Sequence, residues 1–257
     1  MPRFLIFCLL LLSLTPLAFS SSAHYLDGLA AFEKKDFAAA KASFEAAIEK
    51  DQIISSDLLF NLGNTLFRLG DPGAAALWYR RALLLDPRDH AARQNLRLLQ
   101  RRTGALVFDE TLGLRVASWL KHTQWLWVFA AASWAAILAL AILLFLKPRR
   151  SAKAWGWPLF SLAFLVAAAS AAGVWGRLPG SEVAQRAVIT QSGAAALAAP
   201  TETAGVIIDL PPGSEVAVKE SRDIWSYVEI PGTPARVGWV RRQNLSPLWP
   251  YSSALVE

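Results

Sequence analysis

The pattern of hydrophobic and polar positions divides the chain into three kinds of segment. Residues 24–104 place apolar side chains at the three- and four-residue intervals that are typical of helices. Two longer apolar runs without a formal charge, Trp125–Leu146 and Trp155–Trp175, follow. From residue 185 onward, short apolar stretches alternate with polar residues and Pro/Gly turns, as in β-strands. The pattern predicts a multidomain membrane protein with an all-α region, two transmembrane helices and a small all-β barrel.

The first 23 residues have the layout of a secretory signal peptide. Arg3 provides a short positive region, Phe4–Leu12 provides a compact apolar core, and small residues at 18–23 provide a cleavage site. An uncleaved membrane anchor is the alternative interpretation. Both interpretations export the segment that follows.

The two apolar runs have the length of membrane-spanning helices. As helices they would extend about 31–33 Å, which matches a hydrocarbon core of about 30 Å. The intervening residues 147–153 carry four cations, and a Lys or Arg inside the bilayer costs about 3 kcal/mol. We therefore predict spans at 125–146 and 154–175 that are joined by a turn. The positive-inside rule places that turn in the cytoplasm.

This topology places both soluble regions in the periplasm, on the outer face of the bacterial inner membrane. The signal peptide and the positive turn are independent signals, and they agree on this orientation. Residues 105–124 are predicted to be a juxtamembrane segment, either an interfacial helix or a continuation of the soluble domain. Residues 176–184 are predicted to be a linker, and residues 249–257 a tail.

Residues 24–104 contain a self-similar pattern at a spacing of 35 residues. The first unit has the pattern A-x3-F-x2-A at 40–47, and the second has A-x3-Y-x2-A at 75–82, preceded by Leu62-Gly63. These motifs resemble the tetratricopeptide repeat, a pair of helices. The resemblance implies two units and a closing helix at 90–102. We expect the membrane-proximal segment or a partner to cover the open apolar end.

Tetratricopeptide repeats usually line a concave face with residues from the first helix of each unit. By that resemblance, eight residues form a candidate groove whose phenylalanines would suit a partner helix or an extended peptide. The alternative is that some of these side chains only pack on the adjacent unit. The candidate residues are Tyr25, Leu29, Phe32, Phe60, Asn64, Phe67, Arg68 and Arg97.

The alternating region predicts a small all-β domain at residues 185–248. Its motifs, Pro-Gly-x2-Val-x-Val at 212–218 and Gly-Trp-Val at 238–240, resemble those of bacterial SH3 domains. We interpret Trp225 and Trp239 as core residues, with a ligand platform as the alternative.

Composition and charge argue against two classes of function. The net charge is +6, but much of the excess lies in the turn at 147–153, so a nucleic-acid partner is not expected. The chain has three widely separated histidines, and its one cysteine, Cys8, lies in the predicted signal peptide. The sequence also lacks the common nucleotide-binding, zinc-protease and hydrolase motifs. We therefore expect neither an enzyme nor a cofactor or metal site.

The order of parts resembles the BatE family of bacterial aerotolerance-operon proteins. The resemblance implies partners among membrane proteins with von Willebrand A domains, together with a MoxR-type ATPase complex. We expect a non-catalytic envelope adapter, anchored in the lipid bilayer, whose two binding modules act together through high effective concentration. A cell-wall tether that binds peptidoglycan through the SH3-like domain is the alternative. A sensor that passes a signal through the hairpin is a third interpretation.

Overall fold

The structure is a computed structural model, and it describes residues 22–109, 122–145, 150–175 and 183–250. Seven α-helices and seven β-strands lie in these ranges. The helices are α1 Ala23–Glu33, α2 Phe37–Glu49, α3 Ser56–Arg68, α4 Pro72–Leu85, α5 His90–Thr103, α6 His122–Phe145 and α7 Arg150–Trp175. The strands are β1 Arg186–Ile189, β2 Ala194–Leu197, β3 Val206–Leu210, β4 Glu215–Arg222, β5 Trp225–Ile230, β6 Arg236–Arg241 and β7 Leu245–Pro247.

Several predicted segments fall largely outside the described residues. They are the signal peptide, most of the juxtamembrane segment, part of the cytoplasmic turn, most of the linker and the end of the tail. Their assignments stay predictions.

The helices α1 to α5 form two helical hairpins and a closing helix. Each helix begins after a side chain that accepts hydrogen bonds from backbone N–H groups of the first turn, which otherwise lack partners. These caps define the starts of the helices in the sequence. The capping residues are Ser22, Asp36, Ser55, Asp71 and Asp89.

The two helices of each hairpin approach closely because a glycine faces an aromatic ring. A Cβ atom at Gly28 would lie 2.5 Å from the ring of Phe44, and one at Gly63 would lie 2.8 Å from the ring of Tyr79. Both rings are fully buried in one hydrophobic cluster. The glycine and the aromatic residue recur at the same spacing in both units because the two residues contact each other.

The strands form one antiparallel sheet in the order β3-β2-β6-β5-β4-β1-β7. Strands from both halves of this order supply the same core, which includes Ile189, Ala196 and Val228, so the sheet curves around it. Gly238 lies where β6 meets β2, and a Cβ atom there would be 3.0 Å from the Cβ of Ala196. A helical repeat region and a separate antiparallel sheet domain agree with the all-α and all-β parts of the predicted fold class, and the resemblance of the sheet domain to SH3 domains stays a prediction.

The helices α6 and α7 pack against each other, and a Cβ atom at Gly156 would lie 2.5 Å from Leu143. Within the described residues, one helical segment, Gln124–Leu143, is long and apolar enough to cross a membrane. The apolar part of α7, Gly156–Ala171, is shorter. The structure therefore gives weak support for membrane association through α6, and the prediction of two spans is not confirmed.

The sheet domain packs directly against α4. Leu77 joins Val188 and Leu248 in a buried cluster. Gly73 lies so close to β1 that a Cβ atom there would be 2.3 Å from the carbonyl oxygen of Thr190. The helical repeats and the sheet domain therefore form one body, which we call the soluble body.

A buried ion pair lies in this junction. Arg80 of α4 pairs with Glu215 of β4 and also donates to the carbonyl oxygen of Gly213 at 3.2 Å. Arg186 of β1 contacts the other carboxylate oxygen of Glu215 at 3.2 Å. The side chains of Arg80 and Glu215 are only 9% and 10% exposed. Burial lowers the pKa of the Arg80 guanidinium, and the charge of Glu215 opposes that shift.

The first residues of the predicted juxtamembrane segment belong to the same junction. The N–H of Leu106 donates to Ser214 Oγ at 3.0 Å, and the N–H of Glu215 donates to the carbonyl oxygen of Leu106 at 2.8 Å. The N–H of Phe108 donates to the Glu215 carboxylate at 3.3 Å, and the Arg186 guanidinium lies 4.6 Å from the Phe108 ring. The chain therefore passes beside β1 as it leaves the soluble body toward α6. The same strand, β1, is the first strand that follows α7.

Replacing Glu215 should separate the two parts of the soluble body. In Glu215→Gln, the buried Arg80 loses its charged partner, and the loss of a buried partner costs about 3–5 kcal/mol. The control is Glu220→Gln, because Glu220 is 54% exposed in its pair with Arg222 and a surface pair contributes about 0–1 kcal/mol. Pulse proteolysis of the full chain in urea measures the free energy of unfolding. Equal losses of unfolding free energy in Glu215→Gln and Glu220→Gln would contradict this account of the junction.

Candidate partner-binding groove

The eight candidate residues lie on three neighbouring helices, and none of them is fully buried. We call the surface that these helices share the groove. Tyr25, Leu29 and Phe32 lie on α1, Phe60, Asn64, Phe67 and Arg68 lie on α3, and Arg97 lies on α5.

Tyr25 connects α1 to α3. Its hydroxyl oxygen accepts a hydrogen bond from Asn61 Nδ2 at 3.1 Å, and its ring lies 5.9 Å from that of Phe44. Burial raises the pKa of Tyr25, with a smaller contribution from Asp57, and the hydrogen bond to Asn61 opposes the rise. Tyr25 thus contributes to the packing of the two units as well as to the groove surface.

Asn64 and Phe60 hold α3 against the helices that follow. Asn64 Oδ1 accepts hydrogen bonds from the Tyr79 hydroxyl at 2.7 Å and from Asn95 Nδ2 at 2.9 Å. The ring of Phe60 lies 5.9 Å from the ring of Tyr79. Burial raises the pKa of Tyr79 to about 12. These contacts fit the alternative stated above, in which some candidate residues pack on neighbouring helices.

Aromatic and cationic side chains at the carboxyl ends of α1, α3 and α5, together with Phe37 at the start of α2, form a set that we call the rim. The Arg102 guanidinium lies 5.7 Å from the Phe67 ring, and the Arg68 guanidinium lies 5.0 Å from the Phe37 ring. Phe32 meets Phe37 edge to face at 5.4 Å. The rim therefore offers apolar rings next to guanidinium groups, which attract carboxylates.

Two rim residues were not among the sequence candidates. Arg102 follows Phe67 by 35 residues, one repeat length, so extending the repeat register into the closing helix would have found it. Phe37 opens the second helix of its unit, and only first helices were considered. Phe37 becomes part of the rim only through the alignment of α2 with the ends of α1 and α3, which is a feature of packing.

The hydrogen bond that the structure gives for the Arg97 side chain stays within α5. This side chain is exposed, and its Nε donates to the carbonyl oxygen of Arg93 at 3.3 Å, one turn earlier on the same helix. In contrast, the candidates on α1 and α3 share one surface through Tyr25 and Asn61. The groove therefore has α1 and α3 as its best-defined walls.

The two tryptophans singled out in the β domain have different surroundings. Trp225 is buried and belongs to the interior. Trp239 is half-buried, 5.1 Å from the Tyr227 ring, and the Arg222 guanidinium lies 5.6 Å from its ring. Trp239 and Tyr227 therefore present aromatic surface to solvent.

Two models of the tetratricopeptide repeat match the chain, one over residues 21–52 and one over residues 56–89. No curated protein matches the chain. The first match contains α1 and α2, and the second contains α3 and α4. The repeats predicted from the sequence are therefore confirmed. Such repeats are generally non-catalytic adapters that bind proteins, which suggests a protein-binding scaffold role for this region, and nothing in it points to an enzyme.

The buried phenol of Tyr79 should make the protein less stable at alkaline pH. The unfolded chain loses this proton near pH 10.0, whereas the folded chain keeps it until about pH 12. The contribution of Tyr79 is therefore complete below pH 10 and is lost as the pH rises toward 12. Over this window, the free energy of unfolding of Tyr79→Phe should decline less steeply than that of the unsubstituted protein. Equal slopes for the two proteins would contradict the raised pKa.

Proposed function

We propose that this protein is a membrane-anchored adapter whose groove binds a protein segment on the outer face of the cell membrane. The observation that carries the proposal is the division of the repeats into a covered face and a free face. The sheet domain covers α4 around Gly73 and Leu77. The groove on α1 and α3 keeps partly exposed rings and an exposed cation, Arg68.

The junction supports a hairpin that crosses the membrane twice. The repeats and the sheet domain touch through Arg80 and Glu215, which supports a location for both on the same side of the membrane. In that arrangement, the chain between them crosses an even number of times. If α6 spans the bilayer, α7 has to return. The contact between Phe108 and Arg186 puts departure and return side by side, as a hairpin requires.

The partner proposed for the groove is a protein segment with apolar and acidic side chains. Rings such as Phe32 and Phe67 would take apolar side chains, and Arg68 and Arg102 would take carboxylates. The resemblance to the BatE family suggests membrane proteins with von Willebrand A domains as the source of this segment, and a MoxR-type ATPase as a further member of the complex.

A peptidoglycan tether is the second candidate, and the partly exposed pair of Tyr227 and Trp239 favours it. Deleting residues 185–248 would not separate the two functions, because the sheet domain also packs on α4. A surface substitution such as Trp239→Ala is therefore the appropriate test of the tether hypothesis.

Photo-crosslinking in intact cells distinguishes the adapter from the tether. A photoreactive residue at Phe67 should capture a discrete membrane protein, because this position lies in the rim. A matched probe at the exposed residue Glu49, on α2, should capture none. Arg68→Glu should weaken capture at Phe67 severalfold, because it reverses a charge beside the Phe37 ring. No protein adduct at Phe67, with glycan captured at Trp239, would mean a tether.

Cysteine accessibility tests the two crossings. With Cys8 replaced by Ser, single cysteines at Glu49, Thr203 and Ser151 report on the repeats, the sheet domain and the start of α7. We expect an impermeant maleimide to label Glu49→Cys and Thr203→Cys in spheroplasts, and Ser151→Cys only after lysis. Opposite accessibility of the first two would require an odd number of crossings and would overturn the hairpin.

A further inference from the structure

The exposed side of α5 carries cations and no acidic residue. Its sequence, HAARQNLRLLQRRT, has four arginines. Arg93, Arg97 and Arg101 follow one another at intervals of four residues, so they share one side of the helix. We call these three residues the arginine face. The side that packs on the repeats is instead formed by Ala92, Leu96 and Leu99.

The described residues do not neutralise this face. Arg93 donates to the carbonyl oxygen of Pro87, Arg97 donates to the carbonyl oxygen of Arg93, and none of the three forms an ion pair with a described acid. Some partly exposed charges elsewhere do pair, as Lys41 does with Glu45. Like charges four residues apart on a helix repel each other. An external anion would remove that repulsion.

The helix dipole accounts for only part of this arrangement. Cations in the last turn of a helix interact favourably with its carboxyl end, which suits Arg101 and Arg102. The effect fades within one turn, so it does not reach Arg93 or Arg97. The helix dipole therefore does not explain the positions of Arg93 and Arg97.

The connection to α6 keeps α5 near the bilayer. Phe108 is held at the junction by its hydrogen bond to Glu215. Residues 109–121 then lead to α6 and span at most about 45 Å when fully extended. If α6 crosses the membrane, the arginine face is tethered within reach of lipid headgroups, at high effective concentration.

We propose that the arginine face of α5 docks on the membrane surface by binding the phosphate groups of anionic lipids. The inference rests on the proposed function in one respect, that α6 crosses the bilayer. The exposed side of α5 also contains His90 and Gln94 but no aromatic anchor, and such anchors are typical of protein interfaces. A diffuse set of cations instead suits a charged lipid surface.

Docking would orient the groove along the membrane. Arg102, on the same helix, reaches the Phe67 ring of the rim. With the arginine face on the lipid, this end of the groove lies close to the surface from which a membrane partner emerges. The charge of α5 would then set where the adapter can capture its partner.

Paramagnetic relaxation in nanodiscs tests this docking. The full chain, with Cys8→Ser and a nitroxide on Gln94→Cys, is placed in nanodiscs whose lipid headgroups carry a relaxing metal chelate. We expect strong relaxation when the discs contain phosphatidylglycerol, and much less in phosphatidylcholine alone or at high salt. A nitroxide at Glu49 should not respond to lipid composition.

Charge-reversal variants give the matched comparison. Arg97→Glu with Arg101→Glu should lower the ratio of docked to undocked chain at least about 30-fold, which corresponds to about 1 kcal/mol for each arginine lost. Lys34→Glu with Lys50→Glu makes the same change of net charge at exposed positions in the first unit and should leave docking intact.

Three outcomes would overturn the proposal. Incorporation of the chain into discs without a lipid-dependent signal at Gln94 overturns the docking alone. Failure of the chain to incorporate overturns the membrane anchor and the docking together. Loss of crosslinking at Phe67 in Arg97→Glu with Arg101→Glu, with unchanged relaxation at Gln94, would mean that an acidic protein occupies the arginine face.

Discussion

The burial of Arg80 against Glu215 is the constraint on which the rest of the arrangement depends. Two charges leave water there, and only good mutual geometry offsets the cost of their desolvation. The pair joins residues 135 positions apart and fits α4 to the start of β4 in one register. The same carboxylate accepts a hydrogen bond from the N–H of Phe108 and contacts Arg186, so it also holds the segment that leads to α6 beside the first strand after α7.

Neighbouring residues of α4 serve opposite sides of the molecule. Tyr79 points into the repeats, where it bonds Asn64 and supports the groove, whereas Arg80 points into the junction. A short stack of two units and a closing helix leaves much surface uncovered, and solenoids usually add further repeats. Here the sheet domain packs on α4 instead, so its role includes completing the fold of the repeats.

The groove is built mainly by α1 and α3, the junction by α4 and the sheet domain, and the arginine face by α5. Because the junction is buried and the groove is partly open, partner binding does not need the two domains to separate. The helix α5 links the remaining functions, since it supplies Asn95 to the Asn64 network and Arg102 to the rim. A change in its position would therefore be transmitted to the groove through these contacts.

The sequence by itself determined the local elements, because caps, glycine–aromatic spacing and strand alternation depend on residues close together in the chain. It could not reveal that Asn64 is committed to Tyr79, or that Arg102 reaches Phe67, because these contacts depend on how helices align in space. Composition predicted two spans, whereas the described residues contain one helical segment that is long and apolar enough to cross a membrane, so the second span stays a prediction. Arg80 and Glu215 read as ordinary surface charges. Only the tertiary structure buries them together, because their meeting requires the closure of a long loop and the packing of two completed domains.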